Sequence, residues 1–450
     1  PVAQRIAAKC ASAVLESIQS EITTAPWFDD AWLERTLAQC ERTFDQACNR
    51  WRDLYLACSE QMETQHKISN DPLRPQAEKD MALRLYQEAH RQQQLLTDTH
   101  NLVQNDFYTY RYLASEGFLP GYNFPRLPLS AYIPGRRGTG QDEEYLSRPR
   151  FLAISEFGPQ ALIYHDGAKY QIKRVILPHR EDTGELTYKS AKICEACGFA
   201  HPQDGANGAD TCQLCGHALG TPITILFKME NVAAYRRERI NSDEEERMRR
   251  GYEMRTAIRF ADRNDKLSFQ QSELKHNNQN AAILRYGDAA SIWRINMGWK
   301  RRRDSVGFFI DKLRGTWEAA PDEAEQRDPV NNKRQVIPFV TDTRNCLILN
   351  PTQLNATPEF MTSLQAALKV AIQAMYQLED GEIACEPLPS NAERRQILFY
   401  EAAEGGAGAL KRLIEPGALA AVARKALEIC HFDPVTGEDL RRHRRAKSDC

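Results

Sequence analysis

The sequence predicts an α+β chain: an N-terminal helical hairpin, a β-rich platform with an inserted four-cysteine ribbon, and a C-terminal α/β domain. Three observations predict it. An apolar seam with alternating steps of four and three runs through the first part. Short β-branched and aromatic runs bounded by turn dipeptides fill the middle. An amphipathic helix, an apolar strand and a glycine corner close the chain. The expected segments are a helical hairpin over 1–105, an aromatic and Pro-rich linker over 106–150, and a β-domain over 151–230 with the ribbon at 194–215. A β-rich platform with a charged insertion follows over 231–340, and the α/β domain over 341–450.

With 450 residues the chain can bury a substantial core and form two to four structural units. Its 59 basic and 61 acidic residues nearly cancel, so no global field draws it to nucleic acid or a membrane, and any such binding must come from local patches. No apolar run approaches the roughly eighteen residues a membrane span needs, and no signal-peptide pattern opens the chain. A soluble, cytoplasmic protein is expected. Both ends read as cuts: the chain opens at Pro1 on a helical pattern and stops at Cys450 without a polar taper.

In the hairpin, Leu33, Leu37, Cys40, Phe44, Ala47, Trp51, Leu54 and Cys58 make one apolar seam of a long helix. Asn70-Asp71-Pro72 and Pro75 break it, and a second helix is expected from about Ala77 to Leu102. From Phe107 the composition shifts to aromatics, Pro and Gly, which fits a linker wrapping a surface. Its Arg136, Arg137, Arg148 and Arg150 read as solvated or as nucleic-acid contacts. Strands are expected from Phe151, first in FLAIS and then around His165-Asp166-Gly167, whose Asp-Gly pair suits a tight hairpin.

The ribbon is the most specific motif. Cys194, Cys197, Cys212 and Cys215 form two Cys-x-x-Cys knuckles, each followed by glycine at Gly198 and Gly216. Four thiolates complete a tetrahedral structural Zn2+ site with no open position for a reacting water. A disulfide pair or redox centre is the other reading of four cysteines, and the doubled spacing favours zinc. His201 and His217 lie close enough to replace a ligand but read as bystanders beside four cysteines.

Farther on, the run Asp243 to Glu246 reads as a solvated charged segment, and Ile292 to Trp299 alternates like a strand with two differently dressed faces. Trp299, Lys300, Arg301, Arg302 and Arg303 join an aromatic to a dense cationic cluster, a candidate for phosphate-backbone contact; a charged hairpin turn without a partner is the other reading. An amphipathic helix should begin near Pro358. Gly405, Gly406 and Gly408 mark a strand-to-helix corner that lacks the Gly-Lys-Ser/Thr of a P-loop.

Five blocks together resemble a known family: FLPGYNFPRLPLSAYIPGRRG, SRPRFLAISEFGPQALIYHDGAKYQIKRVILP, the ribbon, YQLEDGEIACEPLP and LFYEAAEGGAGALKRL. In order and wording they resemble the C-terminal accessory region of large bacterial DEAD/DEAH-box helicases of superfamily two. The last block resembles the helicase-associated zinc-binding domain shared by MrfA-type repair helicases and helicase-like components of phage-defence systems. The resemblance covers essentially the whole chain. It implies a second four-cysteine site in the C-terminal domain, with Cys430 and Cys450 at its first two positions and the closing Cys-x-x-Cys beyond the end, so that domain is expected to be incomplete. It also implies two upstream RecA-like motor domains, which would supply ATP and Mg2+ chemistry; no Walker A or Walker B context is present in this chain, and no catalytic site is expected in it. The expected function is an accessory DNA-engaging and structural region of an ATP-dependent DNA helicase or translocase, in DNA repair or phage defence. The alternative is a motor-less zinc-binding adaptor subunit of a multi-protein antiviral defence complex.

Overall fold

The computed structural model describes residues 10, 13–17, 19, 31–97, 109, 112–113, 118–119, 128–133, 144–177, 186–203, 209–239, 251–263, 266–301, 306–327, 331–352, 357–403 and 408–440. The chain divides into two compact units, 1–120 with 178–181, and 121–177 with 182–450.

The first unit is built on α1 (Trp32–Asn70) and α2 (Gln76–Thr97). Small side chains let the two helices approach: Ala47, Ala57 and Cys58 on α1 and Ala82 and Ala89 on α2 are buried. Polar bonds fix the register, with Trp51 Nε1 donating to Leu96 O at 3.1 Å and Gln93 Nε2 to Ser59 Oγ at 2.8 Å. The turn falls where the sequence places it. Asp71 Oδ1 accepts from Leu73 N at 2.9 Å, and Pro75 precedes the first residue of α2. Of the predicted seam, Phe44 is largely exposed and meets the ring of Phe118 edge-on at 5.2 Å.

The second unit begins with β1 (Leu129–Ile133), β2 (Glu144–Arg148), α3 (Arg150–Glu156), β3 (Leu162–His165) and β4 (Ala168–Val175). Next come β5 (Tyr188–Ile193), β6 (Ala200–Pro202), β7 (Ile223–Lys228), β8 (Val232–Arg239) and β9 (Tyr252–Arg259). The short β10 (Asp262–Arg263) and β11 (Lys266–Leu267) precede β12 (Gln270–His276) and the long β13 (Gln279–Trp299). The chain continues through β14 (Phe308–Asp311), β15 (Trp317–Glu318), α4 (Glu323–Arg327) and a second long strand, β16 (Lys333–Pro351). It closes with α5 (Pro358–Tyr376), β17 (Ile383–Leu388), β18 (Gln396–Glu401), α6 (Ala409–Arg412) and α7 (Ala418–Ile429).

One sheet has the order β2-β1-β8-β4-β3, and its β3–β4 turn is the predicted hairpin, with Asp166 and Gly167 both at positive φ. Two expectations give way here. Where a wrapping linker was expected, LSAYI forms β1 and is buried throughout, a five-residue strand hidden by flanking prolines. FLAIS, expected as a strand, lies in the helix α3. Pro149 caps it, and Ala153 and Ile154 face the core; so short an apolar run does not distinguish the two periods. Phe151 at its start lies under two guanidiniums, Arg344 at 5.4 Å and Arg294 at 6.0 Å from the ring centroid, and meets Tyr400 edge-on.

The larger sheet is organised by β13 and β16, antiparallel over most of their length. Bulges between Gly287 and Ala290 and between Asn296 and Gly298 bend β13, so its two halves serve different cores. Gly287 is required there, because a Cβ would stand 2.4 Å from the Phe260 ring. The first half of β13, with β16, β17 and β18, carries α5 and α7 on one face: Leu284, Leu347, Met361, Leu368, Ile372, Phe399 and Val422 form that core. In the second half both faces are buried, Ile292 on one side and Trp293 and Ile295 on the other, where the sequence suggested two unlike faces. The segments expected at 151–230, 231–340 and 341–450 all contribute strands to this sheet, and β16 runs across 340–341.

Candidate metal centre and nucleic-acid interface

Each cysteine knuckle is a five-residue turn closed by backbone bonds. Gly198 N donates to Cys194 O at 2.8 Å and Cys194 N to Phe199 O at 3.0 Å; Gly216 N donates to Cys212 O at 2.9 Å and Cys212 N to His217 O at 2.8 Å. The glycines sit at φ +73° and +74°, the left-handed conformation that this closure needs. Inside the turn the first sulfur accepts backbone N–H bonds, from Ala196 and Cys197 at Cys194 and from Leu214 and Cys215 at Cys212.

The same turn recurs with a carboxylate in place of the thiolate. Asp311 Oδ1 accepts from Leu313 N and Arg314 N, closed by Gly315 at φ +70°, and Asp433 Oδ1 accepts from Val435 N and Thr436 N, closed by Gly437 at φ +73°. These bonds hold the Asp433 carboxyl below its ordinary pKa. The four turns have one physical cause: an acceptor at the first position satisfies two N–H groups, and a glycine at the fifth reverses the chain. In each knuckle these bonds and the glycine set the turn that presents its two sulfurs to the cluster.

The four sulfurs lie within 4.8 Å of one another. Cys194 Sγ is 3.6 Å from Cys215 Sγ, and Cys197 Sγ is 3.6 Å from Cys212 Sγ. A tetrahedron with Zn–S of about 2.3 Å needs sulfurs about 3.8 Å apart, whereas a disulfide needs about 2.05 Å. The spacing fits zinc and is longer than a formed disulfide, so the four cysteines are free thiols in this structure. Hydrogen bonding to Cys212 and then burial push the Cys197 thiol pKa up. The Cys197 donor first, and His201 as a further donor, hold the Cys212 thiol below its ordinary pKa.

The surroundings offset the charge of about −2 that four thiolates and one Zn2+ would carry. His201, buried, places Nε2 3.4 Å from Cys212 Sγ. Arg259 lies 5.7 Å from the Phe199 ring and donates to Ala200 O and Gln213 Oε1, so it spans both knuckles. Lys192 ties down the intervening loop through Ala209 O at 3.0 Å. Burial lowers the pKa of Arg255, while Glu195 and Cys194 raise it, which puts its charge in the field of the first knuckle.

The ribbon is part of the unit's core. Cys194, Cys197 and Cys212 share one buried cluster with Phe199, Ile258, Phe260, Leu388 and Leu398. Ile258 N donates to Gly198 O at 3.1 Å. On the other side Gly198 lies so close to β17 that a Cβ would stand 2.8 Å from Leu388 Cδ2 and 3.3 Å from Pro389 Cα. The first knuckle is wedged between β9 and the end of β17.

Among the described residues this is the one group placed to hold a metal. Cys430 is exposed at the C-cap of α7, just before the Asp433 turn, and Cys450 lies outside the described residues. Trp299 stacks at a tilt on Tyr252 at 4.9 Å and meets Phe308 edge-on at 5.6 Å, which fixes the end of β13. Lys300 and Arg301 follow in an exposed turn, with Lys300 N donating to Gly251 O at 3.0 Å. Arg302 and Arg303 lie outside the described residues, as do Asp243 to Glu246 and Gly405 and Gly406. At the glycine corner the buried Glu401 carboxylate takes the Leu410 N–H at 3.3 Å, so an acid occupies the position where a phosphate would bind.

Sequence reasoning set aside His201 and missed Arg255, Arg259 and the Leu388 contact. A buried histidine seven residues after a knuckle cysteine was the available signal for the first. The others are brought in by β9 and β17, distant in sequence. The turns at Asp311 and Asp433 were legible as Asp-x-x-x-Gly.

The fold and centre define an α+β protein with a buried four-cysteine cluster whose spacing fits a structural Zn2+. Residues 364–436, from within α5 to beyond the end of α7, match the family profile of the MrfA Zn-binding domain. Two solved structures are similar. A crystal structure of the DUF1998 helicase MrfA bound to DNA shows 7% identity and a TM-score of 0.31, over 71% of this chain and 32% of that one. A crystal structure of the same helicase bound to DNA and AMPPNP shows 8% identity and a TM-score of 0.24, over 67% and 27%. The chain thus spans a third or less of the length of these structures. No curated protein sequence matches it. No helix among the described residues is long and apolar enough to cross a membrane.

Proposed function

We propose that the chain is an accessory, DNA-engaging and structural region of an ATP-dependent DNA helicase or translocase, acting in the cytoplasm in DNA repair or phage defence. The observation that carries this reading is the match of 364–436 to the MrfA Zn-binding domain, whose strands continue the sheet that packs on the four-cysteine centre. Zn2+ at Cys194, Cys197, Cys212 and Cys215 holds the platform rigid. ATP and Mg2+ act in RecA-like motor domains outside this chain, and Cys430 and Cys450 begin a second zinc site. DNA is met through its phosphate backbone by Lys300, Arg301, Arg302 and Arg303, beside Trp299, whose packing on Tyr252 and Phe308 fixes the strand end from which Lys300 and Arg301 follow.

The test is DNA binding by the chain at several salt concentrations, before and after all four cations are changed to Ala. Each phosphate that the chain no longer neutralises lowers the slope of log K against log salt by about one, so a fall of about one to three is expected. An unchanged slope removes the patch. No binding by the parent chain at low salt removes the DNA-engaging role, and co-purification with a separate helicase chain then gives the adaptor reading the lead.

A further inference from the structure

The four sulfurs of the centre are not equivalent. Cys194, Cys197 and Cys212 are 0%, 1% and 3% exposed, whereas Cys215 lies at the surface. Cys212 is further screened by His201 Nε2 at 3.4 Å and by the N–H groups of Leu214 and Cys215. Hydrogen bonds to a metal-bound thiolate draw off the electron density that makes it nucleophilic. Cys194, whose sulfur lies 3.6 Å from Cys215 Sγ, has no access to solvent of its own.

From this asymmetry we propose that Cys215 is a modification site for peroxides, with Cys194 as its resolving partner, so that the ribbon releases its metal on oxidation. The inference rests on the zinc reading of the ribbon and not on DNA engagement. The Cys215 thiolate attacks the distal oxygen of a hydroperoxide; the O–O bond breaks, and the alkoxide or hydroxide leaves and takes a proton from water. The sulfur now carries OH. The Cys194 thiolate then attacks it, the S–S bond forms, the S–O bond breaks and hydroxide leaves. Two electrons pass from two thiolates to one peroxide, and the metal loses two of its four ligands.

The fold gives this step a reach beyond the surface. Closing 3.6 Å to a disulfide bond moves the sulfurs together by about 1.5 Å. Cys194 opens the knuckle whose Gly198 abuts Leu388 and Pro389, so oxidation pulls on the contact between the ribbon and the C-terminal module. Exposed Cys10 and Cys430 lie outside the metal cluster and serve as internal competitors, since their oxidation costs the ribbon no ligand.

The experiment treats the zinc-loaded 450-residue chain with hydrogen peroxide. A chromogenic chelator reads metal release, peptide mapping reads disulfides, and dimedone traps sulfenic acid. The expected result is zinc release in step with a Cys194–Cys215 disulfide and a first ribbon adduct at Cys215. Cys215→His, which keeps a fourth ligand but removes the thiolate, should slow release by about an order of magnitude. The proposal is overturned by a first ribbon adduct elsewhere, by release in step with a Cys197–Cys212 disulfide, or by oxidation of Cys10 and Cys430 with zinc retained. If Cys215→His does not load zinc, trapping on the unsubstituted chain decides alone.

Discussion

Two glycines in equivalent positions allow the ribbon's role in the core to be weighed. Gly198 and Gly216 share the same conformation, at φ +73° and +74°, and each closes a knuckle. Alanine at either pays the left-handed backbone cost of about 1–2 kcal/mol. They differ in surroundings. A Cβ at Gly216 meets nothing within 4 Å, whereas at Gly198 it stands 2.8 Å from Leu388 Cδ2. Leu388 is fully buried, and the next nearest atom is the backbone Cα of Pro389, so neither side yields freely. Overpacking of that kind costs about 1–3 kcal/mol. Gly198→Ala should therefore exceed Gly216→Ala by that amount. Because folding of the knuckle is linked to metal binding, the difference should appear as a zinc affinity weaker by about 5- to 140-fold. Competition against a chelator of known affinity measures it. Equal losses in the two variants would refute the wedge between β9 and β17.

Three further outcomes are expected. Cys212→Ser should loosen the second unit, seen as diminished near-UV dichroism, and chelation of the parent chain should give the same spectrum; an unchanged spectrum in either case would contradict a structural site. Arg344 donates to Asp342 Oδ2 through Nε and Nη2 and to the carbonyls of Glu401 and Ala402 through Nη1, so Arg344→Met should cost about 3–5 kcal/mol in urea denaturation. Less than about 1 kcal/mol would show that the network is not formed. In the helical hairpin, burial pushes the Cys58 thiol pKa up from 9.0 to about 12. The folded state favours the protonated thiol, so its contribution is complete below the unfolded value and is lost as pH rises from about 9 towards 12. Cys58→Ala should remove that alkaline loss, and an identical pH profile in the variant would contradict the assignment.

What the sequence made legible was local. The knuckles, the break at Asn70 to Pro75, the His165-Asp166-Gly167 hairpin and the helix from Pro358 each depend on residues a few positions apart. Their turn chemistry or periodicity lies in one window. β1 and α3 were misread because LSAYI and FLAIS, each with four apolar residues and a serine, are too short to carry a decisive period. The pairing of β13 with β16 was invisible, since side chains alternate identically whichever strand lies beside them. Gly198 was half legible: its left-handed turn followed from Cys-x-x-Cys-Gly, but its contact with Leu388, 190 positions along the chain, depends on how β17 meets the sheet. His201 was discounted because ligand counting asks only for a fourth donor, and a hydrogen bond to a ligand sulfur falls outside that count.

The four-cysteine centre joins the platform to the C-terminal module through one buried cluster. Hydrogen exchange of the chain with zinc bound and after chelation tests it most directly. Protection should fall together in the two knuckles, in β9 around Ile258 and in β17 up to Leu388, because one buried cluster holds all of them. Deprotection confined to the knuckles, with β9 and β17 as protected as before, would contradict it.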